Sequence, residues 1–439
     1  MKTVYTGCNL IDVEDGCRII PDASVFVDGD KIVKAVSGKA DTAGFTEVNL
    51  QGKYVAPGLV NLHAHLFGTG RPSKVLGGGK LQKVLIKLIN TRAGDKILDK
   101  LVLSAAVQQL RSGVTTVRCV GDFKYSDVRL RDKINEGRCF GPRLLVSGPA
   151  ITVKGGHGDG TFAMTSDSTD ELVSFVDKNK SAGVDFIKIC ITGGVMDAKK
   201  KGEPGELKMN VVQAKAVCDR AHELGLIVAS HTESTKGMEV AAEAGVDTIE
   251  HGSFPDDGLI GKIKAYGGKI VATFSPALPL ARLSPELTKL NEMCVYNSEV
   301  VLDGMTEGAI AAEKNGIPVG LGTDSSCPFS TQYNMWREVC YYSRMTGAST
   351  AKALYTATLG NAAIAGVADV TGSIKEGKSA DMIVLDGNPL DDLTALKAPC
   401  KVICRGVEVK GKVKRNAFIE AKLDELYKTL QVKHEIRNR

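Results

Sequence analysis

The sequence predicts an α/β protein: a (β/α)8 TIM barrel over residues 57–367, joined to a small composite β-sandwich built from residues 1–56 and 368–415. Three observations carry this. Eight short β-rich runs alternate with helix-like segments between residues 58 and 326. Those runs are apolar almost throughout, as parallel strands covered by helices on both faces are. Both ends of the chain read differently, as short strands joined by Gly turns.

At the N-terminal end, "ASVFVDGDKIVKAVSG" is a strand, an Asp-Gly turn and a second strand. Pro57-Gly58 then hands the chain to the first barrel run, "GLVNLHAH" (58–65). The next runs are "VTTVRCVG" (114–121), "RLLVSGPAI" (143–151) and "VDFIKICITGG" (184–194). "LIVASHTE" (226–233), "DTIEHGS" (247–253), "KIVATFSP" (269–276) and "IPVGLGTDSS" (317–326) complete the set. Helix-like segments between them, such as "STDELVSFVDKNKSAG" and "STKGMEVAAEAG", open on Ser-Thr and stop at Gly. Eight such units point to a closed barrel rather than an open sheet. Residues 372–413 return to short strands, and "NAFIEAKLDELYKTL" in the tail (416–439) reads as one amphipathic helix.

Composition narrows the class of function. With 43% hydrophobic and 24% charged residues the chain reads as soluble and globular. A net charge of +5 from scattered lysines does not mark a nucleic-acid partner. No run reaches the roughly 18 apolar residues of a membrane span, and "MKTVYTGCNLIDVEDG" lacks the apolar core of a secretion signal. The 11 cysteines sit mostly in apolar runs without a CxxC, as reduced thiols of a cytoplasmic protein do.

In a barrel of this kind the chemistry sits at the C-terminal strand ends. Those ends carry His63, His65, His157, Lys188, His231, His251 and Asp324, and so five of the chain's 7 histidines. Taken singly, each has a plain reading as a hydrogen-bonded core or turn residue. Together they suit zinc or a similar divalent ion. Lys188 interrupts "VDFIKICI", and an unpaired lysine in an apolar strand is costly. It becomes useful if its amine is neutral and captures carbon dioxide, giving a carbamate that bridges two ions. Two ions about 3.5–4 Å apart share a hydroxide, lower its pKa and polarise a carbonyl. An aspartate beside that hydroxide takes its proton and passes one to the leaving group. This is metal-assisted hydrolysis.

With "PGLVNLHAH", "FIKICITGG", "VASHTE", "IEHGS", "GLGTDSS" and "GSIKEGKSADMIVLD" in this order, the chain resembles the amidohydrolase superfamily over nearly its whole length. The resemblance implies that His63 and His65 bind one ion with Asp324, and that His231 and His251 bind the other. Carboxylated Lys188 would bridge them, with Asp324 also the general acid/base, and a homo-oligomer is implied. "SGPAITVKGGHGD" is similar to the imidazolonepropionase-related branch that includes Xaa-Pro and Xaa-Arg dipeptidases and ochratoxin-type amidases; there the corresponding histidine, His157 here, helps bind substrate. Those peptidases often read "HAY" where this chain reads "HTE", which puts Glu233 in a second substrate-binding place. A carboxylate there disfavours an anionic substrate group and favours a cationic or polar one. The expected reaction is amide hydrolysis on small molecules of the N-acyl amino acid or dipeptide type. The alternatives are opening of a cyclic amide or imidazolone, and nucleobase-type deamination. Deaminating relatives generally lack the lysine and place a glutamate three residues after the fifth-strand histidine. The "LGGGK" of residues 76–80, which follows Arg71, reads as a surface loop and not a phosphate loop, since Leu81 follows Lys80.

Overall fold

The computed structural model describes residues 2–38, 40–73, 80–89 and 91–430. Strands from both ends of the chain form one eight-stranded sheet. Lys2–Asp12, Arg18–Asp28, Lys31–Val36, Thr46–Asn49 and Tyr54–Pro57 come from the N-terminal side, and Met382–Leu385, Lys401–Cys404 and Val407–Glu408 from the C-terminal side. The two halves join where Met382–Leu385 runs antiparallel to Tyr54–Pro57, with Met382 opposite Pro57 and Leu385 opposite Tyr54. Val25, Ile32, Leu50, Val55, Met382 and Ile403 fill a core of its own.

The central strands are parallel and lie in two sheets. One holds Leu59–Ala64, Val114–Cys119 and Arg143–Val146. The other runs from Ala163–Thr165 and Ala150–Thr152 through Ile187–Cys190, Val228–Thr232, Thr248–His251 and Lys269–Ala272 to Val319–Leu321. The sheets touch at both edges. Ala64 bridges Ser325 in parallel, Asp324 N donates to His63 O at 2.8 Å, and Asp185 N donates to Val146 O at 2.8 Å. Helices follow the strands, and their starts are set by side-chain caps. Ser168 caps Thr169–Ser181, Ser234 caps Thr235–Ala244, and Asn210 with Gln213 makes a reciprocal capping box on Val211–Glu223.

One expected strand is broken. Residues 143–151 do not run through: Arg143–Val146 and Ala150–Thr152 are separate, and the second piece pairs with Ile187–Cys190 through Ile151 and Ile189. Gly148 takes a φ of +63° and Pro149 has no N–H to give a ladder, so the chain turns between sheets there. Arg71 is exposed, residues 76–79 lie outside the described residues, and Lys80 opens the helix Lys80–Ile89. The tail forms the helix Ala417–Thr429, tied down by Asp424, which accepts from buried Arg337 at 2.7 Å. No helix among the described residues is long and apolar enough to cross a membrane.

Candidate metal centre

All seven strand-end residues singled out in the sequence line one small cavity, together with Phe162. Each histidine is held by one ring nitrogen. His63 Nδ1 donates to Glu250 Oε2 at 2.7 Å, His65 Nδ1 to the Gly121 carbonyl at 2.7 Å, and His231 Nε2 to the Gly193 carbonyl at 3.1 Å. A carbonyl or carboxylate only accepts, so these three tautomers are fixed and the opposite nitrogen carries a bare lone pair. His251 Nδ1 lies 2.7 Å from the Thr273 hydroxyl, which can take either role. The free His63 and His65 Nε2 atoms face Asp324 Oδ1 at 3.6 and 3.4 Å. His231 Nδ1 faces His251 Nε2 at 2.9 Å.

Two groups of candidate ligand atoms result: His63, His65 and Asp324 in one, and His231, Glu233 and His251 in the other, each with its atoms within 4.8 Å of one another. Burial comes first among the causes that push the His63 and His231 rings well below the ordinary histidine value, and it takes His251 down to about 4. These rings are therefore neutral at pH 7. Burial alone would raise the Asp324 carboxyl; positive charge at the His63 and His65 rings draws it well below the usual range, and a cation held between those rings and the carboxylate would supply that charge. Lys188 is buried, its Nζ has no hydrogen-bond partner among the described residues, and burial pushes its pKa down against the pull of Glu250. Converging lone pairs, an ionised carboxylate and an orphaned amine with a tendency to be neutral fit a divalent-ion site; they do not fit a packed core.

The backbone supports the same reading. His251 and Asp324 adopt left-handed φ values of 68° and 43°, uncommon outside glycine and found where a site over-determines the chain. Gly322 lets its strand close on the first one: a Cβ there would lie 2.2 Å from His63 Cβ and 2.5 Å from its backbone nitrogen.

His157 stacks on His231 with ring centroids 4.1 Å apart and planes 7° from parallel. Its Nδ1 meets Asp197 Oδ2 at 2.5 Å. Burial opposes protonation of this ring, but the Asp197 hydrogen bond and charge outweigh it and raise the pKa. Glu233 accepts from Val195 N at 3.0 Å, and burial pushes its carboxyl up to about 8 against the charge of His157. One of its carboxyl oxygens lies within 4.8 Å of the candidate ligand nitrogens of His231 and His251.

Sequence reasoning missed the residues that hold these groups in place. Arg118 and Glu250 interrupt "VTTVRCVG" and "DTIEHGS" with charge, the same signal that singled out Lys188. Both are buried, and Arg118 Nη2 donates to Glu250 Oε1 at 2.6 Å. Asp197 and Thr273 carried no signal in the sequence.

The shifted histidines predict a pH dependence for the metal-free protein. An unfolded histidine gains its proton near pH 6.5, whereas folded His251 resists until about pH 4. Between these values the unfolded state holds the extra proton, so stability falls as pH falls. His251 alone contributes a loss of roughly 3 kcal/mol across that window, and His63 and His231 act in the same sense. His157 acts oppositely, since its raised pKa gives stability below pH 6.5 that is lost as pH rises. Glu233 and Glu338, both pushed up to about 8 by burial, also act oppositely, so the His251 share is read by difference. Between pH 7.5 and 5 chelator-treated His251→Asn is expected to lose less of its denaturation midpoint, or gain more, than wild type, and identical changes in both would contradict the neutral-ring assignment.

The Amidohydrolase family model matches residues 54–414. An ochratoxinase of Aspergillus niger is 25% identical over 321 residues, which cover 66% of this chain and 64% of the relative; the chain thus spans less than two thirds of that protein. An imidazolonepropionase of Streptococcus gordonii is 22% identical over 410 residues, covering 85% of this chain and 86% of its own. A solved chain from Bifidobacterium longum, proposed to be a prolidase, matches with a TM-score of 0.85 and 36% identity over 97% of this chain and 99% of its own. A Xaa-Pro dipeptidase solved with methionine in its active site matches with a TM-score of 0.79 and 28% identity, over 94% of this chain and 100% of its own. With the strands that carry the clustered histidines inside the matched span and a 36%-identical structure over nearly its whole length, the chain belongs to the amidohydrolase family.

Proposed function

We propose that this protein hydrolyses amide bonds of small molecules, of the N-acyl amino acid or dipeptide type, at a two-ion centre. The observation that carries the reading is the buried Lys188 amine, without a hydrogen-bond partner among the described residues, in one cavity with His63, His65, His231, His251 and Asp324. The parallel strands of residues 57–367 are read as one closed eight-stranded barrel, which the Ala64–Ser325 bridge and the Asp185–Val146 hydrogen bond support. The terminal segments are read as its β-sandwich companion.

His63, His65 and Asp324 would hold one divalent ion, and His231 and His251 the other; zinc suits nitrogen and carboxylate donors. Burial favours a neutral Lys188, whose amine would take up carbon dioxide, forming a C–N bond and losing a proton, and as a carbamate would offer its oxygens to the ions. Bound there, the ions would acidify water and polarise the scissile carbonyl. Asp324, ionised and beside His63 and His65, accepts the proton of the attacking water and delivers it to the leaving nitrogen. His157 has its Nδ1 engaged by Asp197, so its Nε2 edge remains for the substrate. Glu233, its carboxyl pushed up to about 8 and so mostly protonated at pH 7, would offer a hydroxyl donor and a carbonyl acceptor to a polar group of the substrate.

Likeness to a Xaa-Pro dipeptidase supports the dipeptide class, and likeness to an imidazolonepropionase keeps cyclic-amide opening as the second reading. Lys188 speaks against a nucleobase deaminase. All eleven cysteines are free, which supports a reducing, cytoplasmic setting, and we read the protein as a homo-oligomer without nucleic-acid or membrane partners. The test is a turnover screen across N-acyl amino acids, dipeptides, cyclic imides and nucleobases, with metal analysis of the same protein. Amide cleavage by a chain carrying about two ions is expected. Ammonia release without amide cleavage, or turnover indifferent to chelators, would overturn the reading.

A further inference from the structure

We infer that Gln109 and Gln332 are positioning residues for the His63–His65–Asp324 half of the centre, acting through a directed chain of buried amides. The inference rests on the two-ion reading above. Gln332 Nε2 lies 2.8 Å from the His65 carbonyl and 2.9 Å from the Gly68 carbonyl. Both are acceptors only, so the nitrogen must be on that side. Gln332 Oε1 then accepts from Gln109 Nε2 at 2.9 Å, and Gln109 Oε1 accepts from Asn61 Nδ2 at 3.0 Å. Asn61 Oδ1 accepts in turn from the backbone nitrogens of Thr323 at 3.0 Å and His63 at 3.3 Å. One end of the chain is two carbonyls and the other is two backbone N–H groups. Only one sense of run satisfies both ends; turning any amide over would set donor against donor.

The three side chains are 0%, 1% and 6% exposed for Asn61, Gln109 and Gln332. Three buried amides are an expensive way to fill a core that leucine or methionine would fill, so the network must secure something apolar packing would not. What it secures is registry. His63 and His65 come from the first strand, and Asp324 follows the last. Their 3.6 and 3.4 Å approaches depend on how those two strands are set against each other. Asn61 grips Thr323, the neighbour of Asp324, while Gln332 reaches back from beyond Asp324 to the carbonyl of His65. Gln109, on the helix Arg92–Arg111, closes the loop between them. The His231–His251 half receives no bond from this chain.

The asymmetry supplies the test. Wild type, Gln109→Met, Gln332→Met and the double variant are titrated with zinc, and Val102→Ala, on the buried face of the same helix, serves as a stability control. Each glutamine variant is expected to bind one of its two ions about 10–100-fold more weakly, the range for partners of metal ligands, with the other ion unchanged. The double variant is expected to cost no more than the worse single one, because either break interrupts the same chain. Val102→Ala is expected to lower the melting temperature with both affinities intact. Equal weakening of both ions, additive losses, or unchanged affinities in wild-type-like protein overturn the positioning role alone. A wild type that binds no ion overturns the two-ion reading and this inference with it. Should Gln332→Met not fold, Gln109→Glu carries the same test, since it keeps the acceptor for Asn61 and removes the donor to Gln332.

Discussion

Lys188→Ala is expected to remove nearly all amide hydrolysis while leaving the metal-free fold close to its original stability, and Lys188→Met is expected to make that fold more stable. The two effects have one cause. The amine is fully buried without a hydrogen-bond partner among the described residues, so the isolated polypeptide carries the cost of desolvating it. A buried polar atom left unsatisfied costs about 1–3 kcal/mol. Methionine keeps the volume and discards that cost; alanine discards it too but leaves a cavity. Activity moves the other way, because the carbamate that would bridge the ions has no substitute. Loss of one preorganised group at a reacting centre costs about 10²–10³-fold, and the loss here is expected to meet or exceed that.

The stability gain has a pH signature. Folding lowers the Lys188 pKa, so between its lowered folded value and the ordinary value near 10.5 the unfolded chain holds the extra proton. Stability lost through this residue therefore grows as pH falls below 10.5, and the advantage of Lys188→Met over wild type is expected to be larger at pH 8 than near pH 10.5. Denaturation midpoints of chelator-treated proteins, with turnover of the zinc-loaded forms, measure both arms. Full turnover in Lys188→Ala would remove the carbamate from the mechanism. Partial recovery on adding formate or propionate, small carboxylates that fit the gap left by the side chain, would support it.

The residues that line the cavity were legible because histidine is rare in this chain and strand ends are countable. Lys188 stood out as a charge inside an apolar run, and its amine lies buried without a hydrogen-bond partner among the described residues. Arg118 and Glu250 carried the same signal. Their meaning was hidden because Glu250 meets His63 across 187 residues of sequence, and no local pattern records that pairing. Asp197 reaches His157 over 40 residues from an ordinary-looking loop. Gln109 sits among polar neighbours on a helix, so it reads as surface until the fold turns it inward. The break at Gly148-Pro149 was visible as residue types but lost inside a run scored as apolar. Local chemistry exposed the groups that line the cavity; the pairings that hold those groups exist only in the tertiary structure.

Glu250 offers the clearest separation of holding from folding. Its Oε1 accepts from Arg118 Nη2 at 2.6 Å and from the Thr248 hydroxyl at 2.6 Å, while Oε2 accepts from His63 Nδ1 at 2.7 Å. Arg118 and Glu250 are both buried, so removing either leaves the other's charge without its counter-ion. Glu250→Leu is expected to cost about 3–5 kcal/mol, the range for breaking a buried pair by deleting one partner. The remaining Arg118 bonds, to Leu62 O at 2.6 Å and Thr248 Oγ1 at 3.1 Å, do not neutralise it. Glu250→Gln keeps one oxygen but must turn its NH2 toward either Arg118 or His63, so one donor meets another. Zinc affinity is expected to fall about 10–100-fold in both variants, because the His63 tautomer is no longer fixed. Adding Arg118→Met to Glu250→Leu removes the stranded charge, and a pair replaced by apolar groups of similar volume is often neutral in stability. The double variant should therefore regain most of its denaturation midpoint and none of its zinc affinity. Recovery of both together would mean that Glu250 serves only the fold; recovery of the midpoint alone assigns its second oxygen to His63.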